Sequence, residues 1–516
     1  MRDLFTDYLA ARPELAVFFA TAPQDLLQEP PRVCSWTPGL ASVSEDYQSA
    51  LGNTRSLTGD EIVIATGQQP GLLTGPLYTI YKAATAILLA TEIEKRFHVR
   101  SVPLFWVASV DHDFEEVRTA HILTKHHTIA SLTYAPERAV DGLPMYRVPA
   151  QTGLHQIIDQ AAHSARGSEH RDEVAAFLHE SLDAAESLAD WFARILARLF
   201  RDTPLILFSP HLPTVRALAA PVLKWEIAHP LELTRLLNEA GERLTALGYR
   251  PQIVKDATEC NFFLEVDQFR RKVRFEKGHY IVPEARLTFS TDEMLGLLQA
   301  APERFTSNVA LRCLEQQHLF SPAAYVGGPG EVAYWAQLRP LFDALELAMP
   351  AVYPRARAVI TDLKLNALLK KVGLTVADIA SPEADLLTRA LKATTPDPAL
   401  NIVQKHRRAI ESALDDLADG LNSANKSTAD MARTVKAATM AGLDRLENSV
   451  ARADQARVDA VANQVKRLKT ELMPLGKPQE RVINIFSYLF EHGWDLIPRI
   501  VREINVDHFS LKEIEL

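Results

Sequence analysis

The sequence predicts an α/β protein with a parallel-sheet core and a long α-helical arm. Three observations lead to this class. Ile62–Lys82 has the order strand, glycine-rich loop, helix, and Val102–Val110 is a second apolar run that ends in a group of acidic residues. Residues 402–472 carry an apolar repeat typical of a coiled coil. Short apolar strands that alternate with helices indicate βαβ units around a parallel sheet.

The composition excludes several classes of protein. The chain has 516 residues, of which 47% are hydrophobic and 23% charged, so it is long enough for several domains with a sizeable core. A net charge of −9 argues against broad nucleic-acid binding. We expect no membrane segment and no signal peptide, because no run of about 18 apolar residues exists and the N-terminus has no apolar stretch. Cys34, Cys260 and Cys313 are widely spaced and odd in number, which favours a cytoplasmic protein without disulfides.

The first strand–loop–helix unit is a candidate anion site. The run Ile62–Ala65 suits a buried parallel strand, and three glycines then let the backbone turn tightly and approach a ligand. Pro76 suits the start of the helix that follows, whose positive end favours phosphate or carboxylate. The candidate substrate- or nucleotide-binding residues are Thr66, Gly67, Gln68, Gln69, Gly71, Thr74, Gly75, Tyr78 and Lys82. The alternative is a glycine-rich turn that binds nothing, since neither GxGxxG nor GxxxxGK[ST] is present.

The second strand ends in Asp111-His112-Asp113, the candidate catalytic residues, followed by Glu115 and Glu116, which could bind a metal. Ligands of open α/β sheets lie outside the carboxyl ends of the strands, so this group should lie beside the first loop. It could orient an amine, bind Mg²⁺ or transfer a proton. The alternative is an acidic helix start. Zinc is not expected, because HDFEE lacks the HExxH spacing.

Further strands are predicted at Thr203–Phe208 and Met349–Tyr353. Between them, Gln252–Val282 alternates and predicts a small antiparallel sheet. Its basic residues, including Arg270, either contact substrate or lie on a solvated edge. His126, His127, His170 and His179 have no partner at ligand spacing and are expected on the surface.

Residues 323–331 repeat the pattern of a short apolar run, glycines and a helix start. The candidate binding residues here are Gly327, Gly328, Glu331, Tyr334, Trp335 and Arg355. Tyr334 or Trp335 could stack on a ring, and Arg355 could pair with phosphate or carboxylate. A plain loop with an acidic first helical turn is the alternative.

The arm begins where the composition changes, near residue 381. Apolar residues recur at intervals of three and four from Ile402 to Leu472, with one change of phase near 453–458. A turn at 420–427 precedes a helix that would span roughly 65–70 Å. The apolar seam must be covered by the neighbouring helix or by a second subunit. We therefore predict a core over 1–380 with insertions at about 126–200 and 211–300, an arm over 381–475, and a C-terminal segment over 476–516 that returns to the core.

Five blocks of sequence resemble one family, the bacillithiol biosynthesis cysteine-adding enzymes, also called BshC. The blocks are TGQQPGLLTGPLYTIYK, PLFWVASVDHDFEEV, SNVALR, AYVGGPGEVAYWAQLRPLF and LGKPQERVINIFSYL, in the expected order from residue 66 to about 490. Asp111, His112 and Asp113 match the family pattern, whereas Val110 and Cys313 depart from it.

The resemblance implies a Rossmann-like core similar to nucleotidyltransferases, with connecting-peptide insertions and a coiled-coil arm that forms a homodimer. It also implies a ligase that joins the carboxyl of L-cysteine to the amine of glucosaminyl-malate and so forms bacillithiol, a low-molecular-weight thiol. Forming an amide from a free carboxylate is unfavourable in water, so we expect activation by a nucleotide, with ATP and Mg²⁺ as the candidates. The alternative is a nucleotidyl-transferring enzyme that acts on a different small amine or acid.

Overall fold

The computed structural model describes residues 2–31, 34–394, 399–423, 425–506 and 509–516. In chain order, the strands are β1 (Ile62–Gln68), β2 (Ser101–Val107), β3 (Thr119–Leu123), β4 (Ile129–Thr133), β5 (Ile206–Phe208), β6 (Glu259–Val266), β7 (Phe269–Glu276), β8 (His279–Val282), β9 (Leu287–Phe289), β10 (Phe305–Ser307), β11 (Ala324–Gly327), β12 (Ala351–Pro354), β13 (Arg357–Thr361) and β14 (Leu511–Glu515).

The helices are α1 (Leu4–Leu9), α2 (Leu40–Ala50), α3 (Tyr78–Phe97), α4 (Phe114–Val117), α5 (Gly153–Ser164), α6 (Arg171–Asp183), α7 (Leu188–Leu199), α8 (Pro213–Ala228), α9 (Glu232–Ala246), α10 (Thr291–Ala300), α11 (Val309–Phe320), α12 (Pro329–Trp335), α13 (Arg339–Ala344), α14 (Leu363–Lys371), α15 (Glu383–Thr394), α16 (Ala399–Asn422), α17 (Lys426–Leu472), α18 (Phe486–His492) and α19 (Leu496–Glu503).

A parallel sheet in the order β12-β11-β1-β2-β5 forms the centre of the fold. From β1 the chain moves outward to β2 and β5, and it later returns to β11 and β12 on the other side of β1. The strand order therefore reverses between β1 and β11, which opens a crevice at their carboxyl ends. The predicted α/β class with a parallel-sheet core is confirmed.

Both faces of this sheet are buried. Ile62 and Ile64 pack in one apolar cluster with Leu89 of α3, whereas Val63 and Ala65 belong to a second cluster on the opposite face. Burial on both faces explains why these strands appear in the sequence as unbroken apolar runs.

Some predicted boundaries are wrong. Strand β1 continues to Gln68, so Thr66 and Gly67 belong to the strand and not to the loop. Gly67 is needed for close approach to β2, because a Cβ atom there would lie 2.6 Å from the Trp106 carbonyl oxygen. Helix α3 begins at Tyr78, two residues after Pro76.

The insertions follow β2 and β5. The first contains the β3–β4 hairpin and helices α5–α7, and the second contains helices α8–α10 and an antiparallel sheet in the order β10-β6-β7-β8-β9. The predicted antiparallel sheet is thus confirmed, and it is separate from the parallel sheet.

The chain divides into two compact units. The first contains residues 1–360 and 479–514, and the second contains 361–478 and 515–516, so the second unit begins before the predicted boundary at 381. In the second unit, α16 and α17 pack as an antiparallel pair with ion pairs such as Arg407–Asp444 and Lys436–Asp415. The predicted long helix is confirmed: α17 has 47 residues, which corresponds to about 70 Å. Residue 424, in the predicted turn, lies outside the described residues.

In the described part of the chain, Cys34, Cys260 and Cys313 are all free, as expected. None of the helices described there has a stretch that is both long and apolar enough to span a bilayer.

Candidate active site

A cavity of about 570 Å³ lies at the carboxyl ends of β1, β2 and β11, on the crevice where the strand order reverses. All of its lining residues belong to the first unit. The predicted site residues that line it are Gly67, Gln68, Gln69, Tyr78, Lys82, Asp111, His112, Asp113, Gly328, Glu331, Tyr334 and Arg355. The two glycine-rich segments and the acidic group, which are far apart in the sequence, therefore meet in one place.

Asp111 is held from three directions. The Gln69 amide donates to its Oδ2 at 2.8 Å, the backbone N–H of His112 donates to its Oδ1 at 2.7 Å, and the Arg270 guanidinium approaches Oδ1 at 3.4 Å. These contacts fix the carboxylate in the cavity wall.

Arg270 reaches this cavity from β7 of the antiparallel sheet. Its guanidinium is buried, donating to Thr306 Oγ1 and to the Ser307 carbonyl and lying over the Phe263 ring at 3.8 Å. Burial lowers the pKa of Arg270 to about 10, so it remains a cation at neutral pH. The sequence allowed two positions for Arg270, in contact with substrate or on a solvated strand edge. The side chain lies in the cavity wall, whereas Lys272 on the same strand is exposed.

The contact with Arg270 also fixes the protonation of His112. Arg270 Nη1 lies 2.7 Å from His112 Nδ1. Because a guanidinium only donates, His112 Nδ1 must accept this hydrogen bond, and the proton of the neutral ring must be on Nε2. Burial lowers the pKa of His112, and the charge of Arg270 lowers it further. His112 is therefore a neutral N–H donor at pH 7.

The alternative of an acidic helix start is confirmed for part of this group, because Glu115 and Glu116 lie in the first turn of α4. Asp113 precedes α4, but its side chain makes no capping hydrogen bond. Glu115 is exposed and pairs with Arg118 at 2.9 Å, and neither it nor Glu116 lines the cavity. Burial raises the pKa of Glu116, and the charges of Asp113 and Asp111 add to this shift.

Ligand atoms of Asp111, His112 and Asp113 lie within 4.8 Å of one another, but Nδ1 of His112 accepts from Arg270 and Nε2 carries the proton, so of these three residues only the two aspartates could bind a metal. Two carboxylates suit Mg²⁺, which usually takes one or two of them together with substrate phosphates. The positive charge of Arg270 beside Asp111 makes a cation less favourable there unless an anionic substrate accompanies it.

Lys82 and Glu331 join the two sides of the crevice. Lys82 Nζ lies 2.5 Å from Glu331 Oε2 and also donates to the Gly67 carbonyl and to Gln68 Oε1, so three acceptors surround the ammonium. Burial lowers the pKa of Lys82. Burial opposes ionisation of Glu331 as well, but Lys82 and the Gly328 N–H outweigh it and lower the pKa of that carboxyl. The pair is therefore ionic, and it sets the distance between α3 and α12.

Three cations in the cavity wall were not among the predicted site residues. They are Arg270, Arg312 and Arg481. Arg312 lies in the block SNVALR and Arg481 in LGKPQERVINIFSYL, so the resemblance could have indicated both. The predicted cation Arg355 has a protein partner: it forms a bidentate pair with Glu480 at 2.7 and 3.0 Å, and both side chains are buried.

Several predicted residues do not line the cavity. These are Thr66, Gly71, Thr74, Gly75, Gly327 and Trp335. The Thr66 hydroxyl is buried and donates to the Val326 carbonyl at 2.9 Å. Trp335 is buried against Tyr325 and Phe342, so it is not available to stack on a ligand.

The C-terminal segment covers the loop before α3. The backbone N–H of Leu77 donates to the Ile483 carbonyl at 2.8 Å, and the Asn484 amide donates to the carbonyls of Leu73 and Gly75. The backbone N–H of Leu77, at the helix start that was expected to bind an anion, is therefore already hydrogen-bonded within the protein. The end of β1, the loop and α3 contribute the side chains of Gln68, Gln69, Tyr78 and Lys82 to the cavity.

Fold and site together define an α/β protein with a Rossmann-like core, whose cavity combines carboxylates, a neutral histidine and several arginines. Comparison with known proteins identifies the family. Residues 2–356 match the N-terminal Rossmann-like domain of bacillithiol biosynthesis BshC, and residues 358–516 match the C-terminal coiled-coil domain of the same family. The chain belongs to the bacillithiol biosynthesis BshC family of enzymes.

Individual relatives agree with this assignment. The chain is 31% identical over 525 residues to "Putative cysteine ligase BshC" of Salinibacter ruber, covering 98% of this chain and 94% of the relative. Relatives of the same name from Geobacillus kaustophilus and Bacillus cytotoxicus are 31% and 29% identical, with 88% of this chain covered in each case and 84% and 85% of the relatives.

Proposed function

We propose that this protein is a cytoplasmic ligase that joins the carboxyl of L-cysteine to the amine of glucosaminyl-malate to form bacillithiol. One observation carries the proposal: a single cavity presents Asp111 and Asp113 together with Arg312 and Arg481. Glucosaminyl-malate has an amine at one end and two carboxylates at the other. Carboxylate side chains suit the amine, and arginines suit the malate carboxylates or a phosphate.

The activation step requires a donor, and we propose ATP. A cysteine carboxylate oxygen would attack the α-phosphorus and release pyrophosphate. The amine nitrogen would then attack the acyl carbon, with AMP leaving as the new C–N bond forms. Asp111 would supply a carboxylate ligand for Mg²⁺ if it accompanies the phosphates.

The hydrogen bonds of Asp111, His112 and Asp113 support a separate role for each residue. His112 holds its proton on Nε2, so it would donate a hydrogen bond to the developing oxyanion rather than act as a base. Asp111 already accepts from Gln69 and His112. Asp113 is exposed and makes no capping bond, so we assign to it the proton that the amine loses.

The test is turnover, followed by mass spectrometry. Purified protein is mixed with L-cysteine, glucosaminyl-malate, Mg²⁺ and ATP, with a control that lacks ATP. We expect product and AMP only when ATP is present, and Asp113→Asn should lower kcat by about 10²–10⁴-fold. Glu115→Gln is the matched control, since Glu115 is also acidic and exposed but does not line the cavity. Absence of product from the folded protein, with product from another amine or acid, would favour the nucleotidyl-transferring alternative.

We also propose that the second unit forms a homodimer. Within this unit Ile402, Leu417, Met431, Val435 and Leu446 remain about half exposed or more, although α16 and α17 pack on each other. A second copy of the arm would cover these side chains. Sedimentation velocity should give a dimer for the wild type and a monomer for Leu446→Glu; a monomeric wild type at micromolar concentration would contradict the proposal.

A further inference from the structure

Two histidines on neighbouring helices of the first insertion point directly at each other. His155 on α5 and His179 on α6 have their Nδ1 atoms 2.7 Å apart, and their rings are nearly coplanar, at 8° with centroids 5.0 Å apart. A centroid separation so much larger than the nitrogen–nitrogen distance means that the rings meet nitrogen to nitrogen and do not lie on top of one another.

The outer nitrogen of each ring contacts an aspartate from the opposite helix. His179 Nε2 lies 3.0 Å from Asp159 Oδ1, and His155 Nε2 lies 3.1 Å from Asp183 Oδ1. Each aspartate follows a histidine by four residues on its own helix, so the four side chains form an approximately symmetric chain Asp–His–His–Asp. Because an ionised carboxylate only accepts, both Nε2 atoms carry protons.

These outer protons leave the two inner Nδ1 atoms with lone pairs that face each other. Lone pairs at 2.7 Å repel, so the position between them must hold a cation. A proton shared between the rings is one solution, and a metal ion is the other.

We propose that His155 and His179 bind a divalent transition metal of the zinc, copper or nickel class through their Nδ1 atoms. Imidazole nitrogen suits these metals. Histidines that bind metals usually donate their other N–H to a carboxylate, and here both carboxylates are already in place. Tetrahedral coordination with nitrogen–metal distances of about 2.0–2.1 Å needs the two nitrogens about 3.3 Å apart. The nitrogens therefore have to move apart by about 0.6 Å, and each ring has to turn by roughly 35° so that both lone pairs point at the metal.

The surroundings are compatible with this role. The two histidine side chains are 31% and 30% exposed, which leaves room for water in the remaining coordination positions. None of the four residues lines the catalytic cavity, so the metal would join α5 to α6 and take no part in the ligase reaction. The spacing in the sequence did not indicate the site, because the two ligands lie 24 residues apart on different helices.

The experiment uses the full-length protein with Cu²⁺ and Zn²⁺ as probes. At one equivalent of Cu²⁺, electron paramagnetic resonance should show splitting from two nitrogens, and calorimetry with ZnCl₂ should show at least a tenfold loss of affinity in His179→Gln. His163→Gln is the matched control, because His163 is exposed on α5, the helix that carries His155. His112→Gln should also keep the signal, which distinguishes this site from the acidic group in the cavity.

The double variant Asp159→Asn/Asp183→Asn provides a second test, for the case in which a histidine variant fails to fold. It keeps both ligands, so the two-nitrogen signal should remain while Zn²⁺ affinity falls about 10–100-fold. Two results would overturn the proposal. One is equal binding of Cu²⁺ and Zn²⁺ by the wild type and by His179→Gln, and the other is a wild type without the two-nitrogen signal. In either case the histidine pair would hold only a shared proton.

Discussion

Replacing Glu480 by glutamine is expected to destabilise the first unit by about 3–5 kcal/mol. Arg355 and Glu480 are 3% and 6% exposed and form two hydrogen bonds. Removing one partner leaves a buried charge without compensation, and breaking such pairs costs about 3–5 kcal/mol. The carbonyl of the new glutamine side chain could still accept one of the bonds and Arg355 keeps its contact with the Ala356 carbonyl, so the lower end of that range applies.

The same structure predicts that the loss is largely reversed when both charges are removed. In Arg355→Met/Glu480→Leu no buried charge remains, and similar replacements elsewhere are often neutral. Glu480→Leu also removes the acceptor of the Ala358 N–H, so we expect the double variant to lie about 1–2 kcal/mol below the wild type. A cycle with the single variants Arg355→Met and Glu480→Leu should give a coupling energy of about 3 kcal/mol.

The assay is urea unfolding followed by tryptophan fluorescence. All six tryptophans lie in the first unit, so their emission reports the unit that contains the pair. Additive effects in the double variant, or a loss below about 1 kcal/mol in Glu480→Gln, would refute the reasoning. A double variant that is stable but inactive would show that Arg355 also contacts the substrate.

Three further predictions concern the cavity and the residues that support it. Arg270→Met should raise the pKa of His112, because it removes a cation that lowers this pKa, and an NMR titration of the His112 ring should show the shift; an unchanged pKa would contradict this. Burial raises the pKa of Glu315 from 4.5 to about 7, so the folded protein holds this proton more tightly than the unfolded chain. This proton contributes about 3 kcal/mol to the free energy of unfolding below pH 4.5, and the contribution is lost as the pH rises through 7. In Glu315→Gln the free energy of unfolding, measured by the same urea assay, should change less over this pH range. Gly67→Ala should lower the free energy of unfolding by about 1–3 kcal/mol, because the new Cβ atom would lie 2.6 Å from the Trp106 carbonyl oxygen. Gly330→Ala should be nearly neutral, because no atom lies within 4 Å of its Cβ position. Equal effects of the two substitutions would refute the steric argument.

The sequence by itself determined the α/β class, the strands of the parallel sheet and the long helix α17. It also indicated that Gln69 and Asp111 would meet at one edge of the sheet. These features follow from local patterns, because the period of apolar residues fixes the type of element and the carboxyl ends of parallel strands share an edge.

Only the tertiary structure decided which side chains face the cavity. Arg270 reaches His112 across 158 residues of sequence, and Glu480 pairs with Arg355 across 125. It also decided that Thr66 turns away from the cavity, since a strand buried on both faces leaves its hydroxyl to the neighbouring strand. The physical reason is the same in each case: whether a polar side chain meets a ligand or a protein partner depends on which distant element packs against it, and no local pattern in the sequence carries that information.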